Sequence, residues 1–153
     1  MRVLLVDDHT IVREGLRLLL AEHRDVEVVG EAADGEEALR KARELKPDVV
    51  VMDLAMPGIG GLEATRAIRR ELPATEILVL TMHESDQHFF EVLQAGASGY
   101  VLKGASAADL LAALRAVHAG DVFIYPSMAK KLLSHFLARA GVGEERERYA
   151  HLT

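Results

Sequence analysis

Polar side chains suited to chemistry follow four short apolar runs in this sequence, each at the point where its run ends. Asp7 and Asp8 follow "VLLV", Asp53 follows "VVVM", Thr81 follows "ILVL" and Lys103 follows "YVL". Carboxylates held close together repel one another unless a cation lies among them, and Mg²⁺ prefers oxygen ligands of this kind. A carboxylate can also attack phosphorus to give an aspartyl-phosphate. These residue types therefore indicate phosphoryl transfer, provided that the fold brings the run ends together.

Each residue then has a role in such a site. Asp53 would be the nucleophile, and Asp7 and Asp8 would bind the metal ion. Lys103 would offset charge on the transferring group, and the hydroxyl of Thr81 would donate to a phosphate oxygen. Taken singly, the acids and the threonine could be helix caps and the lysine a solvated charge. Their joint placement, at one run end after another, favours the chemical interpretation.

The elements that would position these residues are short strands alternating with helices. Five apolar runs alternate with five helical patterns in about the first 120 residues. Val12, Leu16 and Leu19 show helical spacing, and Ser106 and Asp109 have the spacing of a capping box at the start of the fifth helix. The alternation predicts an α/β fold, a doubly wound parallel sheet with helices on both faces. Such sheets bind ligands beyond the carboxyl ends of their strands, where the reactive residues should meet.

Composition excludes several classes of protein. The 153 residues carry a net charge of −6 and include no cysteine. The chain therefore has no disulfide or thiolate zinc site, and its acidity makes it a poor DNA-binding protein by itself. No apolar run approaches the roughly 18 residues of a membrane span, and the N-terminus does not resemble a signal peptide. A cytoplasmic location is expected.

The sequence predicts two regions, 1–120 and 121–153. Pro126 suits the first position of a helix, and Met128, Leu132 and Phe136 form one apolar stripe, so a helix is expected at about 126–140. A lone helix cannot bury its own stripe. The stripe should therefore pack on the first region, on a second copy or on a segment outside this chain.

The motifs also resemble a known family. "VLLVDDH", "DVVVMDLAMPGIGG", "ILVLTMHE" and "GYVLKG" resemble the receiver domains of bacterial two-component response regulators. "VDDHTIVREGL" and "LKGASAADLLAALRAVHAGD" are similar, more narrowly, to the NarL/FixJ (LuxR-type) transcriptional regulators. The resemblance covers about residues 1–120. It implies a flavodoxin-like (CheY-like) sheet of five parallel strands in the order 2-1-3-4-5, followed by a linker helix.

The resemblance implies a metal site and a phosphoacceptor. Asp53 matches the phosphoacceptor and a metal ligand, and Asp8 matches the direct ligand of Mg²⁺, for which Mn²⁺ can substitute. Asp7 matches the residue that binds the ion through a water molecule, and Ala55 the residue whose backbone carbonyl completes the set. His9 could be read as a further ligand, but because Mg²⁺ prefers oxygen a role in the loop is favoured.

Further positions match residues that act on the phosphoryl group. Thr81 and Lys103 match the hydroxyl and the lysine that hold it, and Tyr100 matches an aromatic switch residue, although a tyrosine there could also be simple core. Ala55 and His83 match positions that tune dephosphorylation. Many receivers continue with a cis proline after the lysine; this chain has Gly104, which leaves the geometry of that peptide bond open.

The function implied is that of a phosphorylation-dependent response regulator. A partner histidine kinase would phosphorylate Asp53 with Mg²⁺, and the chain would slowly dephosphorylate itself without being a conventional enzyme. The output would be dimerisation through the fifth helix, together with the first helix or with the fourth helix and fifth strand. The final "HLT" resembles the opening of a DNA-binding helix-turn-helix domain, so DNA would be bound only by a domain outside this chain. The kinase, the signal and the target genes are not predictable from the sequence.

Three rival functions remain to be weighed. An aspartate-nucleophile hydrolase would typically carry a second aspartate at the position of Ala55. A flavin-binding module should have a phosphate loop rich in hydroxyl groups and glycine where this chain has "DDHTIV". A receiver that serves only in protein contacts would not need all of Asp53, Thr81 and Lys103.

Overall fold

A computed structural model describes residues 1–54, 60–82 and 86–138, with the backbone alone at 86–88. The chain divides into two compact units, Met1–Phe123 and Ile124–Thr153. The first unit contains five strands and five helices among its described residues. The strands are β1 (Arg2–Val6), β2 (Glu27–Ala32), β3 (Val49–Asp53), β4 (Glu76–Thr81) and β5 (Gly99–Leu102). The helices are α1 (Thr10–Ala21), α2 (Gly35–Leu45), α3 (Gly61–Glu71), α4 (Asp86–Gln94) and α5 (Ala107–His118).

The strands form one parallel sheet in the order β2-β1-β3-β4-β5, which confirms the predicted fold class. Every residue of the central strand β3 is buried. Val49 and Val51 pack in a core cluster with Leu110 and Leu114 of α5. The consecutive valines of β3 therefore reflect a strand that is covered by helices on both faces, as expected for parallel sheets.

The strand register sets the positions of the reactive residues. Val6 of β1 lies opposite Met52 of β3. The residues that follow them, Asp7 and Asp53, therefore lie at the same rim of the sheet. Asp53 lies opposite Leu80 of β4, one residue before Thr81. Thr81 in turn lies opposite Leu102 of β5, one residue before Lys103. The carboxyl ends of four strands thus carry the predicted residues at one edge of the sheet.

The side-chain caps of α2 and α5 come from residues other than the acids at the strand ends. Asp34 accepts a hydrogen bond from the backbone N–H of Glu37 at the start of α2 (2.8 Å), and Ser106 accepts one from Asp109 at the start of α5 (3.2 Å). α1 begins after His9, whose side chain makes no capping hydrogen bond, and α3 begins after Gly60. The acids at the strand ends are therefore not used as caps of these helices.

The outer edge of β5 is bordered by Phe123. A parallel bridge joins Gly99 and Phe123, the backbone N–H of Tyr100 donates to the Phe123 carbonyl (3.0 Å), and the Phe123 N–H donates to the Ser98 carbonyl (3.1 Å). Within the described ranges every peptide bond is trans, including the one between Lys103 and Gly104. Among these residues no helix combines the length and apolarity needed to cross a bilayer.

The second unit contains a helix at 126–138. Its first turn follows Tyr125, whose carbonyl accepts hydrogen bonds from the N–H groups of Met128 (3.0 Å) and Ala129 (2.9 Å). Leu133, Phe136 and Leu137 expose large apolar surfaces on this helix. Of the stripe expected from the sequence, Phe136 is therefore open to solvent, whereas Met128 is buried.

Candidate functional site

An ammonium group joins two buried carboxylates at the rim of the sheet. The Nζ of Lys103 lies 3.1 Å from Oδ2 of Asp7 and 3.2 Å from Oδ1 of Asp53. Both aspartate side chains are only 2% exposed, whereas Lys103 is 13% exposed. β1, β3 and the end of β5 thus bring together three residues that lie far apart in the sequence.

The environment of Lys103 favours its charged form. Burial disfavours the ammonium, but the hydrogen bonds to Asp7 and Asp53 and the negative charges of these residues outweigh that effect, so the pKa of Lys103 is raised above its ordinary value. Because the pKa rises, the stabilisation by this ammonium is fully present at neutral pH and is lost only when the pH rises through the folded-state pKa.

The loop between β1 and α1 folds back on the Asp7 carboxylate. Oδ1 of Asp7 accepts a hydrogen bond from the backbone N–H of His9 (2.8 Å) and lies 3.1 Å from His9 Nδ1. The same Nδ1 lies 3.1 Å from Oδ1 of Asp8. Arg13 of α1 donates to the backbone carbonyl of Asp7, and its Nε lies 3.5 Å from Oε1 of Glu31. These contacts fix the first turn of α1 against the acid pair.

The acid cluster fits a divalent cation. Asp7, Asp8, His9 and Asp53 each offer one ligand atom, and these atoms lie within 4.8 Å of one another. Asp7 Oδ2 and Asp8 Oδ1 are buried; the first lies 3.1 Å from the Lys103 ammonium and the second 3.1 Å from the His9 imidazole. The single ammonium of Lys103 cannot balance the carboxylates of Asp7, Asp8 and Asp53. The donor set, mainly carboxylate oxygen, is the one that Mg²⁺ prefers.

The predicted phosphate-holding and switch residues lie in the same part of the sheet. Thr81 is the last residue of β4 and is buried, and its carbonyl accepts a hydrogen bond from the backbone N–H of Lys103 (2.9 Å). Tyr100 is fully buried in β5, and its ring packs edge-on against Phe89 of α4, with centroids 5.4 Å apart and planes at 82°. Ala55 and His83 lie outside the described residues.

Two contributors to the site had only weak sequence signals. Gly61, at the start of α3, lies so close to the end of β3 that a Cβ there would be 2.2 Å from the carbonyl oxygen of Asp53. A glycine is needed because no side chain fits that approach. Arg13 reads as an ordinary surface residue of α1, and only its contact with Asp7 reveals its part in the loop. For Gly61, the doubled glycine in "GIGG" was the one signal that the sequence offered.

A family comparison identifies the domain to which this arrangement belongs. Residues 3–115 match the family model described as response regulator receiver domain. The chain is 46% identical to a two-component response regulator of the LuxR family from Aurantimonas sp. SI85-9A1, with a TM-score of 0.82 over 89% of this chain and 97% of that one. It is 34% identical to the isolated REC domain of RcsB from Salmonella enterica serovar Typhimurium, solved with phosphomimetic BeF3⁻, with a TM-score of 0.77 over 85% of this chain and 96% of that one.

Sequence relatives agree with this assignment. The chain is 52% identical to the response regulator GacA of Pseudomonas viridiflava, over 86% of this chain and 61% of that protein. It is 44% identical to the oxygen regulatory protein NreC of Staphylococcus carnosus, over 92% of this chain and 65% of that protein. The chain thus spans about three fifths of the length of these curated relatives. With the matching fold and rim residues, these findings show that the chain belongs to the response regulator receiver domains of two-component systems, in the NarL/FixJ (LuxR-type) branch.

Proposed function

We propose that this receiver domain accepts a phosphoryl group on Asp53 from a sensor histidine kinase and uses it to control dimerisation. One observation carries the proposal: Asp53 is buried at the sheet rim, 3.2 Å from the ammonium of Lys103 and beside a second carboxylate pair. A carboxylate with no chemical role would rarely be held in such a crowded, charged cluster, because its burial costs free energy. A pseudo-receiver would not require this arrangement.

In the proposed reaction the phosphoryl group moves from the donor to Asp53. An oxygen of Asp53 attacks phosphorus, a P–O bond forms, and the bond from phosphorus to the donor breaks with its electron pair leaving on the donor. Lys103 offsets negative charge on the transferring group, and Thr81 donates its hydroxyl hydrogen to a phosphoryl oxygen. In the later dephosphorylation, water attacks phosphorus, the P–O bond to Asp53 breaks with its electron pair on the carboxylate oxygen, and inorganic phosphate leaves.

A divalent ion belongs in this scheme. Asp8, Asp53 and the backbone carbonyl of Ala55 would bind Mg²⁺ or Mn²⁺ directly, and Asp7 would bind it through a water molecule. When bound, the ion supplies positive charge that Lys103 alone cannot provide. Ala55, together with His83, would set the rate of dephosphorylation through access of the attacking water.

The phosphoryl group would then change one face of the domain. It adds roughly two negative charges and three acceptor oxygens. Attraction of Thr81 toward these oxygens would vacate space beside β4, into which the ring of Tyr100 could turn from its contact with Phe89. The carboxyl ends of β4 and β5 would shift together, biasing a two-state surface.

The first prediction tests the phosphoacceptor itself. Incubation with Mg²⁺ and acetyl phosphate should add one phosphoryl group to the intact mass of the wild-type protein, and Asp53→Ala should show no adduct, because the attacking oxygen is gone. Asp25→Ala is the matched control: Asp25 is an exposed acid that pairs with Arg115 away from the rim, and this variant should be phosphorylated normally. An equal adduct on Asp53→Ala would refute the proposal.

The dimer surface that we propose joins α1 and α5. Leu16 of α1 and Leu110 of α5 line one cavity, so these helices lie side by side. On α1, Ile11 is 84% exposed and Leu18 is 67% exposed, an unusual exposure for large apolar residues on a charged domain. A solved RcsB structure is described as two dimers bound to two parallel DNAs. By analogy, we propose that the dimer of this chain serves transcriptional control in the cytoplasm through a DNA-binding domain linked by residues 121–153.

The second prediction tests that surface. Phosphorylation should shift the wild-type protein from monomer toward dimer in size-exclusion chromatography with light scattering. Leu18→Glu should remain monomeric, because a buried unpaired charge opposes association. Val122→Glu, which changes another exposed apolar side chain of the first unit, should still dimerise. An unchanged wild-type elution volume after complete phosphorylation would contradict the proposed output, and dimerisation of Leu18→Glu would contradict the proposed surface.

A further inference from the structure

We propose that His9 supplies a nitrogen ligand to the acidic site, so that the site prefers divalent first-row transition metals to Mg²⁺. The inference rests on the proposed function, since it concerns the metal site of that same receiver chemistry. It goes beyond an oxygen-only site by adding a ligand type, an imidazole nitrogen, that discriminates between ions.

The position of the imidazole is the first argument. Nδ1 of His9 lies 3.1 Å from Oδ1 of Asp7 and 3.1 Å from Oδ1 of Asp8. Neighbouring ligand atoms of an octahedral ion with bonds of about 2.1 Å lie about 3.0 Å apart. The nitrogen therefore lies at the spacing of an adjacent ligand from the oxygen of Asp8, the carboxylate expected to bind the ion directly, and at the same distance from Asp7. Asp53 contributes a fourth ligand atom within the same 4.8 Å cluster.

The backbone of this loop holds the imidazole beside the acid pair, where its Nδ1 contacts the carboxylates of Asp7 and Asp8. The N–H of His9 donates to Asp7 Oδ1 (2.8 Å), which draws the residue over the acid pair. His9 occupies the N-cap position of α1, yet its side chain makes no capping hydrogen bond. Its side chain is 64% exposed, so its ring can adjust toward an ion without disturbing the core.

The chemistry of the donor then sets the preference. Mg²⁺ strongly favours oxygen and retains several waters, so a nearby imidazole adds little to its binding. Imidazole suits Zn²⁺, Ni²⁺ and Cu²⁺, and the affinity of a mixed nitrogen and oxygen site rises along the first transition series. One added nitrogen should therefore strengthen binding of Ni²⁺ or Co²⁺ much more than binding of Mg²⁺.

A different role for His9 would leave a different signature. If Nδ1–H only donates to Asp7 and Asp8 and orients them, its loss should weaken all ions in proportion, by the 10- to 100-fold typical of groups that orient metal ligands. A ligand, in contrast, affects only the ions that bind nitrogen well. The ratio of two affinities in one variant thus separates the two roles.

The experiment compares Ni²⁺ and Mg²⁺ by calorimetric titration of the wild-type protein and His9→Ala, in a buffer that does not bind metals and without phosphodonor. We expect His9→Ala to lose about tenfold or more in Ni²⁺ affinity and less than about threefold in Mg²⁺ affinity. His118→Ala, which removes an exposed histidine near the end of α5, should retain both affinities. Asp8→Asn should lose both, which would place the two ions in the same site.

A spectroscopic measurement gives an independent readout. In the Co²⁺-loaded wild-type protein, an imidazole bound through Nδ1 should give a strongly shifted Nε2–H resonance that disappears in deuterated water and is absent from His9→Ala. Equal loss of Ni²⁺ and Mg²⁺ affinity in His9→Ala, no loss of either, or an unchanged shifted resonance would each overturn the inference. Phosphorylation of Asp53 is measured separately, so a receiver that is phosphorylated normally but shows no His9 effect would leave the proposed function intact.

Discussion

Replacing Lys103 with alanine is expected to slow phosphoryl transfer to Asp53 by about 10²- to 10³-fold, the usual effect of removing one group that stabilises developing negative charge. Its ammonium lies 3.1 Å from Asp7 and 3.2 Å from Asp53 and is the described cation that touches both carboxylates. The rate is measured by intact mass after timed incubation with acetyl phosphate and saturating Mg²⁺.

A matched set of variants separates the charge from the fold. Lys103→Arg keeps the positive charge but not the compact shape of the ammonium, so it should recover part of the rate. Lys130→Ala removes an exposed lysine of the second unit and should leave the rate unchanged. Circular dichroism with Mg²⁺ present is the control that tests whether Lys103→Ala is folded. A folded Lys103→Ala protein with a rate within threefold of wild type would show that this ammonium does not assist the transfer.

Adding Mg²⁺ to the metal-free protein is expected to raise the Tm by about 5 to 10 °C when the ion is at 100 times its Kd. Binding at that concentration stabilises the folded state by about 2.7 kcal/mol. For a chain of this length 1 kcal/mol shifts the Tm by about 2 to 4 °C. The gain arises because the ion relieves repulsion among Asp7, Asp8 and Asp53, which one ammonium only partly offsets. Scanning calorimetry with and without chelator measures the shift.

Controls for the metal effect use acids of different position. Asp8→Asn should lose most of the shift, because it removes the carboxylate expected to bind the ion directly. Glu36→Gln changes an exposed acid in the first turn of α2 and should keep the full shift. If Asp8→Asn responded to Mg²⁺ like the wild-type protein, the ion would be acting at another place on the surface.

The sequence was sufficient to predict which residues share the rim, for a simple reason. In a parallel sheet the end of each strand reaches the same edge, so a reactive residue directly after an apolar run is placed by the run itself. Asp53, Thr81 and Lys103 were located in this way, and the register of β3, β4 and β5 bears the placement out. The order of the strands was not available from the pattern and came from the resemblance to receivers.

The contacts within the rim could not be predicted from spacing. Whether the Lys103 ammonium would lie between Asp7 and Asp53 or extend into solvent depends on tertiary packing of the β5–α5 segment. The same holds for the imidazole of His9, which reads as a loop residue but lies over the acid pair. The roles of Ala55 and His83 stay predictions, because both residues lie outside the described ranges.

Phe123 has a consequence for how this protein behaves at high concentration. β5 is an edge strand of the sheet, and the main-chain N–H and carbonyl groups along such an edge can pair with strands of other molecules. Phe123 occupies the N–H of Tyr100 and the carbonyl of Ser98 along that border. A strand of another molecule would have to displace Phe123 before it could pair with β5. Aggregation by addition of strands is therefore opposed at the β5 edge of the sheet.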